Sequence, residues 1–127
     1  MPNREVYEFA IIRFMPKVER GEFINVGVIV FSKKKKFIGI KYIIDKDRLT
    51  SFSKEINLEE LKSYLEAWET IVNGNQANGL ISKLDIPERF RWLTASKSTI
   101  LQCSKVHPGI SDDPQKILED LCQKYVM

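Results

Sequence analysis

Histidine and cysteine are scarce in this chain of 127 residues, which has one histidine, His107, and two cysteines, Cys103 and Cys122. A single histidine excludes a histidine-rich metal centre, and a serine hydrolase would have to use His107 as its base. Two thiols without a CxxC spacing offer no dithiol motif and fit a reducing cytoplasm, since a chain this long builds a core without disulfides. Long apolar runs are missing as well. The longest, Phe23 to Phe31, is broken by Asn25 and falls far short of a bilayer span. The N-terminal MPNREVYEF lacks the apolar segment of a signal peptide, so a cytoplasmic location and no membrane association are expected. There is no GxxxxGK[ST], GxGxxG, HExxH or GxSxG, so no nucleotide cofactor, metal or esterase motif is present, and no cofactor is expected. Charge of one sign is lacking too. The net charge is +3, with acids and bases interspersed everywhere except Lys33 to Lys36, where most nucleic-acid modules would concentrate basic residues on one face.

With 43% hydrophobic and 29% charged residues, the chain has the composition of an ordinary globular domain, and its length predicts a single one over residues 1–127. Three segments rich in β-branched and aromatic residues predict strands over Tyr7 to Met15, Phe23 to Phe31 and Phe37 to Ile44. The lysine run separating the last two is short enough for an antiparallel hairpin and reads as a solvated turn. Strict alternation places Ile12, Phe14, Ile24, Val26, Val28, Val30, Ile38, Ile40, Tyr42 and Ile44 on one apolar face. The opposite face then carries Arg13, Asn25, Gly27 and Lys41. Pairing Phe14 with Ile24 puts Arg13 opposite Asn25, and a slip of one residue would bury Arg13, so that register is favoured.

Helical spacing is clearest from Asn57 to Val72, where Leu58, Leu61, Leu65, Trp68 and Val72 form a stripe, Asn57 with Glu60 starts the helix and Asn73–Gly74 stops it. A short helix is predicted over Asp45 to Phe52, a loop over GNQANG, helical pieces over Leu80 to Leu84 and Pro87 to Leu93, and a fourth strand over Ser98 to Ser104. Asp113–Pro114 opens a last helix whose Ile117, Leu118, Leu121, Cys122 and Tyr125 face inward; it is expected to cover the same sheet face as Leu61, Leu65 and Trp68. The class predicted is α+β, an antiparallel sheet of about four strands with one face covered by helices.

Two stretches concentrate polar groups. In VERGEFINV, the residues Glu19, Arg20, Glu22 and Asn25, together with Arg13, meet near one end of the sheet. Such a mixture grips a polar ligand through charge-assisted hydrogen bonds; equally, Arg13 or Arg20 can pair with Glu19 or Glu22, and Asn25 can bond loop backbone, to fix a polar rim around a notch left by Gly27. In ERFRWLTASKST, the residues Arg89, Arg91 and Trp92, followed by Ser96, Lys97, Ser98 and Thr99, suit a phosphate or a stacked base, while Phe90, Trp92 and Leu93 also read as the packed side of a short helix. His107 stands before Pro108–Gly109, which marks a turn. Asp112 and Asp113 beside it are where acids belong at a helix start.

YEFAIIRFMPKVERGEFINVGVIVF and ERFRWLTASKSTILQCSKVHPGISDDP resemble a family of short bacterial proteins of unknown function, DUF3037. The resemblance implies no established activity or catalytic residue; its members resemble genes found near HipA-type kinases, which implies such a kinase as a protein partner or as the product of a shared operon. The function expected is a non-catalytic binding or interaction domain, its ligand-binding residues drawn from Arg13, Glu19, Arg20, Glu22, Asn25, Arg89, Arg91 and Trp92. One alternative is a small, nuclease-like enzyme acting on phosphate-containing substrates through Glu19, Arg20, Glu22 and His107. Another is a nucleic-acid-binding module using Lys33 to Lys36, Arg89, Arg91 and Trp92.

Overall fold

The computed structural model describes all residues except 1, 2, 55, 75–80, 96 and 98. The chain runs β1 (Glu5–Phe14), β2 (Ile24–Ser32), β3 (Phe37–Tyr42), α1 (Lys46–Phe52), α2 (Leu58–Asn73), α3 (Ile86–Thr94), β4 (Leu101–Cys103), β5 (His107–Ser111) and α4 (Pro114–Tyr125). The strands form one antiparallel sheet in the order β3-β2-β1-β4, with β5 also paired to β1. The α+β class is therefore the observed one, with five strands.

The first hairpin has the expected register, Phe14 opposite Ile24 and Arg13 opposite Asn25. The next step breaks the alternation. Ile12 pairs with Gly27, so Val26 is an extra residue, a β-bulge at which two consecutive side chains face the same way. Ile24 and Val26 lie on one face, and beyond the bulge that face is continued by Ile29 and Phe31, while Val28 and Val30 turn to the other. The single apolar face predicted through Ile24, Val26, Val28 and Val30 is thus divided. Gly27 leaves no notch either: a Cβ there would stand 2.8 Å from the Lys41 carbonyl oxygen and 2.9 Å from the Tyr42 Cβ. The glycine admits β3 at the bulge.

Both faces need cover, and both receive it. On one, Ala10, Ile12, Phe14, Ile29 and Phe31 pack with Leu61, Leu65, Trp68 and Val72 of α2 and with Phe90 and Leu93 of α3. α2 starts where the Asn57 carboxamide accepts from the Glu60 N–H and ends at Gly74 in the left-handed region, φ 70°; α3 is capped by Asp85 and begins one residue before Pro87. On the other face Ile11, Val28 and Val30 pack against Leu118, Cys122 and Val126. α4 therefore does not join Leu61, Leu65 and Trp68, because the bulge gives the second face its own valines to bury. Tyr125 is 38% exposed, so that end of the helix stripe lies at the margin.

Two segments near the C-terminus also differ from expectation. The predicted strand over Ser98 to Ser104 is only Leu101–Cys103, and HPGIS, which reads as a turn, is β5, with His107 opposite Phe9. Between them the Ser104 hydroxyl replaces a ladder partner: it accepts from the Ile11 N–H at 2.8 Å, while the Ser104 N–H donates to the Ile11 carbonyl at 2.9 Å. The predicted piece Leu80 to Leu84 contains a 3-10 turn at Ile81–Lys83. Leu80, Ser96, Ser98 and the 75–79 part of GNQANG lie outside the described residues.

Candidate functional site

The β1–β2 connection gathers most of the polar residues singled out in the first stretch. After Pro16 and Lys17 the chain makes a 3-10 turn at Val18–Arg20 and reverses at Gly21, whose φ of 69° favours glycine. Arg20 Nε donates to Glu22 Oε1 at 2.7 Å, the expected ion pair, with both side chains more than half exposed; in that setting the pair contributes little to stability and leaves both groups accessible. Glu19 is exposed. Across from this loop lie Phe52 and Ser53, where α1 ends. Together with Pro16, Lys17, Arg20 and Glu22 they line an open hollow of about 160 Å³.

Arg13 and Asn25 sit at the same end of the sheet, on the α4 side. Arg13 is half-buried, and its guanidinium carbon lies 4.2 Å from the centroid of the Phe23 ring. Among the described residues no carboxylate pairs with it, and its Nε is buried without an acceptor. The expected Arg13–carboxylate pair is thus absent because Phe23, not an acid, packs under the guanidinium. Asn25 donates through Nδ2 to the Tyr125 carbonyl at 3.1 Å, not to the loop, and its Oδ1 is buried without a donor. Arg48 completes the cluster: Nη1 donates to the carbonyls of Asn25, at 3.2 Å, and Val126, at 2.7 Å. No spacing in the sequence signals that reach, which depends on α1 lying across the end of the sheet.

The second stretch is placed differently. Arg89 Nη1 donates to the carbonyls of Ile71 and Val72 at 3.0 and 2.8 Å. It closes the C-terminus of α2, where cations are favoured. Arg91 pairs with Glu8 at 3.2 Å. Trp92 is 40% exposed, and the Lys97 ammonium lies 4.5 Å from its ring centroid and 5.7 Å from that of Trp68. Lys97 also donates to the carbonyls of Trp92 and Ala95, and burial lowers its pKa, against an opposing pull from Cys103. Arg89, Arg91 and Trp92 are thus engaged within the fold and do not meet Arg13, Asn25 or the Glu19–Glu22 loop. Burial pushes the Cys103 thiol up to about 12, against the smaller opposing pull of Lys97 and Arg13, which disfavours its thiolate.

His107 is also apart. It pairs with Phe9, whereas the Glu19–Glu22 loop leaves β1 beyond Phe14, and an extended strand separates those two positions of β1 by about 17 Å. Among the described residues there is no group of three or more His, Cys, Asp or Glu side chains able to hold a metal ion, and no helix is long and apolar enough to cross a membrane.

The family described as a protein of unknown function (DUF3037) matches residues 9–126. The chain belongs to the DUF3037 family. No curated protein and no solved structure matches it. The matched span takes in both polar stretches of this DUF3037 chain.

Proposed function

We propose that this DUF3037 protein is a non-catalytic binding domain that grips an acidic group of a partner protein at the end of the sheet, with Arg13 and Asn25 as anchors and the Arg20–Glu22 loop as rim. The observation that carries this is Arg13: a half-buried guanidinium, stacked on Phe23, with no carboxylate partner and a buried Nε–H without an acceptor. With no acid paired to it among the described residues, the guanidinium can offer the outer N–H groups of its planar fork to an incoming carboxylate. The family resemblance makes a HipA-type kinase the first protein to test as partner.

The test uses a hexaglutamate peptide as probe. A saturable rise in melting temperature is expected for the wild type, lost in Arg13→Gln and kept in Arg91→Gln; a co-expressed HipA-type kinase should co-purify with the wild type and not with Arg13→Gln. No saturable shift, or the same shift in Arg13→Gln, refutes the proposal.

A nucleic-acid-binding reading has one observation in its favour. Lys33, Lys36 and Arg89 line a common hollow of about 380 Å³ with Asp85, Ile86 and Pro87. Arg89 is held by α2 and Asp85 caps α3, which leaves the lysines to bind phosphate; a salt-dependent affinity for single-stranded RNA or DNA that falls in Lys33→Gln/Lys36→Gln would support it. An enzyme built on Glu19, Arg20, Glu22 and His107 is the weaker reading, because proton transfer needs hydrogen-bond reach and His107 pairs with Phe9, five positions along β1 from Phe14, where the strand ends.

A further inference from the structure

The turn between β2 and β3 holds a residue in an unfavourable backbone conformation. The Lys36 N–H donates to the Lys33 carbonyl at 3.1 Å and closes the turn. Lys36 itself then takes φ 52°, the one positive φ outside glycine among the described residues. In that left-handed region a side chain crowds its own backbone, so glycine or asparagine ordinarily fills such a place in a hairpin loop. Glycine would serve the turn at least as well. What lysine adds is an ammonium, and strain of this kind persists where the surrounding structure uses it.

Lys36 borders the hollow of about 380 Å³ between the turn and Asp85, Ile86 and Pro87. Three cations, Lys33, Lys36 and Arg89, stand around it against one acid, and the Asp85 carboxylate already accepts from the Glu88 N–H at 3.2 Å. No ion pair ties any of the three to a carboxylate among the described residues. Arg89 is fixed by the Ile71 and Val72 carbonyls and keeps its charge in the wall. Lys33 also borders Glu5 and Glu8 on the other side of the turn, which leaves Lys36 as the ammonium that belongs to this hollow alone. Ile86 and Pro87 give the hollow an apolar side. The sequence has no second run of basic residues, so the charge suits one highly charged group and not a long track of phosphodiesters.

We propose that this hollow is a site for a phosphate monoester. Lys36 and Lys33 donate to its oxygens, Arg89 adds charge from the wall, and the organic group of the ligand lies on Ile86 and Pro87. The proposal rests on the nucleic-acid reading of the same hollow and narrows it to a terminal phosphate, which near pH 7 carries more negative charge than an internal diester. A free nucleotide and the end of a strand share that chemistry.

Titration calorimetry on the full chain at low salt tests this with thymidine 5′-monophosphate, thymidine, and a short oligothymidylate with and without a 5′-phosphate. The monophosphate should bind saturably and thymidine should not. Its affinity should fall about tenfold in Lys36→Gln, fall further in Lys33→Gln/Lys36→Gln, and stay unchanged in Arg13→Gln, at the other end of β2. Lys36→Gly should lose the same affinity yet melt at the wild-type temperature or above it, because glycine takes the turn without strain. Tighter binding of the 5′-phosphorylated strand than of the 5′-hydroxyl strand supports the proposal with a strand as ligand; binding of the monophosphate and of neither strand supports it with a free nucleotide and removes the nucleic-acid reading. Equal binding of both strands without the monophosphate keeps that reading and overturns the proposal, and no saturable binding of any probe overturns both. Wild-type affinity in Lys36→Gly, or an equal loss in Arg13→Gln, also overturns it.

Discussion

Replacing Ser104 by alanine tests whether one hydroxyl holds the sheet together where β4 gives way to β5. The Ser104 Oγ accepts from the buried Ile11 N–H and donates to the Lys105 carbonyl at 2.9 Å. Alanine fills nearly the same space, so no cavity forms, and Lys105 is exposed, so water can take over its carbonyl. What remains is one backbone N–H, buried and without a partner, at about 1–3 kcal/mol. For a urea m-value of about 1.5 kcal/mol/M, a loss of about 2 kcal/mol lowers the unfolding midpoint by roughly 1.3 M. Ser82 supplies the control: it is also buried, but its Oγ has no hydrogen-bond partner, so Ser82→Ala should leave the midpoint unchanged or raise it. Equilibrium urea unfolding of both variants, with exchange of the Ile11 amide as a local readout, completes the test. A Ser104→Ala midpoint equal to that of Ser82→Ala, with Ile11 exchanging as in the wild type, refutes the role assigned to the hydroxyl.

Leu118 is 3% exposed against the second face, so Leu118→Ala should cost about 2–5 kcal/mol in urea unfolding, and half-buried Leu121 clearly less. Arg89→Met removes two charge-assisted bonds to α2 carbonyls and should cost about 1.5–3 kcal/mol, whereas Arg91→Gln, which breaks an exposed pair with Glu8, should stay within about 1 kcal/mol. Because the Cys103 thiol is pushed up to about 12 from an ordinary 9.0, the folded state keeps a proton that the unfolded chain releases above pH 9. Its contribution is complete below pH 9 and is lost as pH rises toward 12, so between pH 8 and 10 the wild type should lose roughly 1 kcal/mol more stability than Cys103→Ala. Equal losses in urea titrations at the two pH values would refute this.

The parts of the fold that were legible in the sequence are those fixed by local chemistry. Asn57, Gly74 and Asp113 mark helix ends because a short polar side chain or a left-handed glycine satisfies backbone groups there. The hairpin register was legible because a charged Arg13 resists a slip. The bulge was not. From Val26 to Phe31 every residue but Gly27 is apolar, so alternation carries no signal for which face each side chain takes, and only the packing of Val28 and Val30 against α4 reveals the change. β5 was missed because a Pro-Gly pair resembles a turn, although the Tyr7 ring lies across Gly109, where a Cβ would clash with it. Of the candidate site, the Arg20–Glu22 pair could be anticipated from its i to i+2 spacing around Gly21. Arg13 on Phe23, Asn25 on Tyr125 and the bridge from Arg48 join segments remote in sequence, and Arg89 looked like a ligand-binding residue because nothing in its surroundings names α2 as its partner.

Division of the core between two helical layers has a consequence for how the chain is made. Everything needed to close the α2 and α3 face has left the ribosome once β4 is complete, but Ile11, Val28 and Val30 stay uncovered until α4 follows, and the Arg48 link between Asn25 and Val126 is made last. During that interval the nascent protein presents a strip of bare β-branched residues to solvent, an invitation to chaperones and to other nascent copies alike. On that order of synthesis, a stall after Ser111 would leave the residues of one face complete and those of the other without their covering helix.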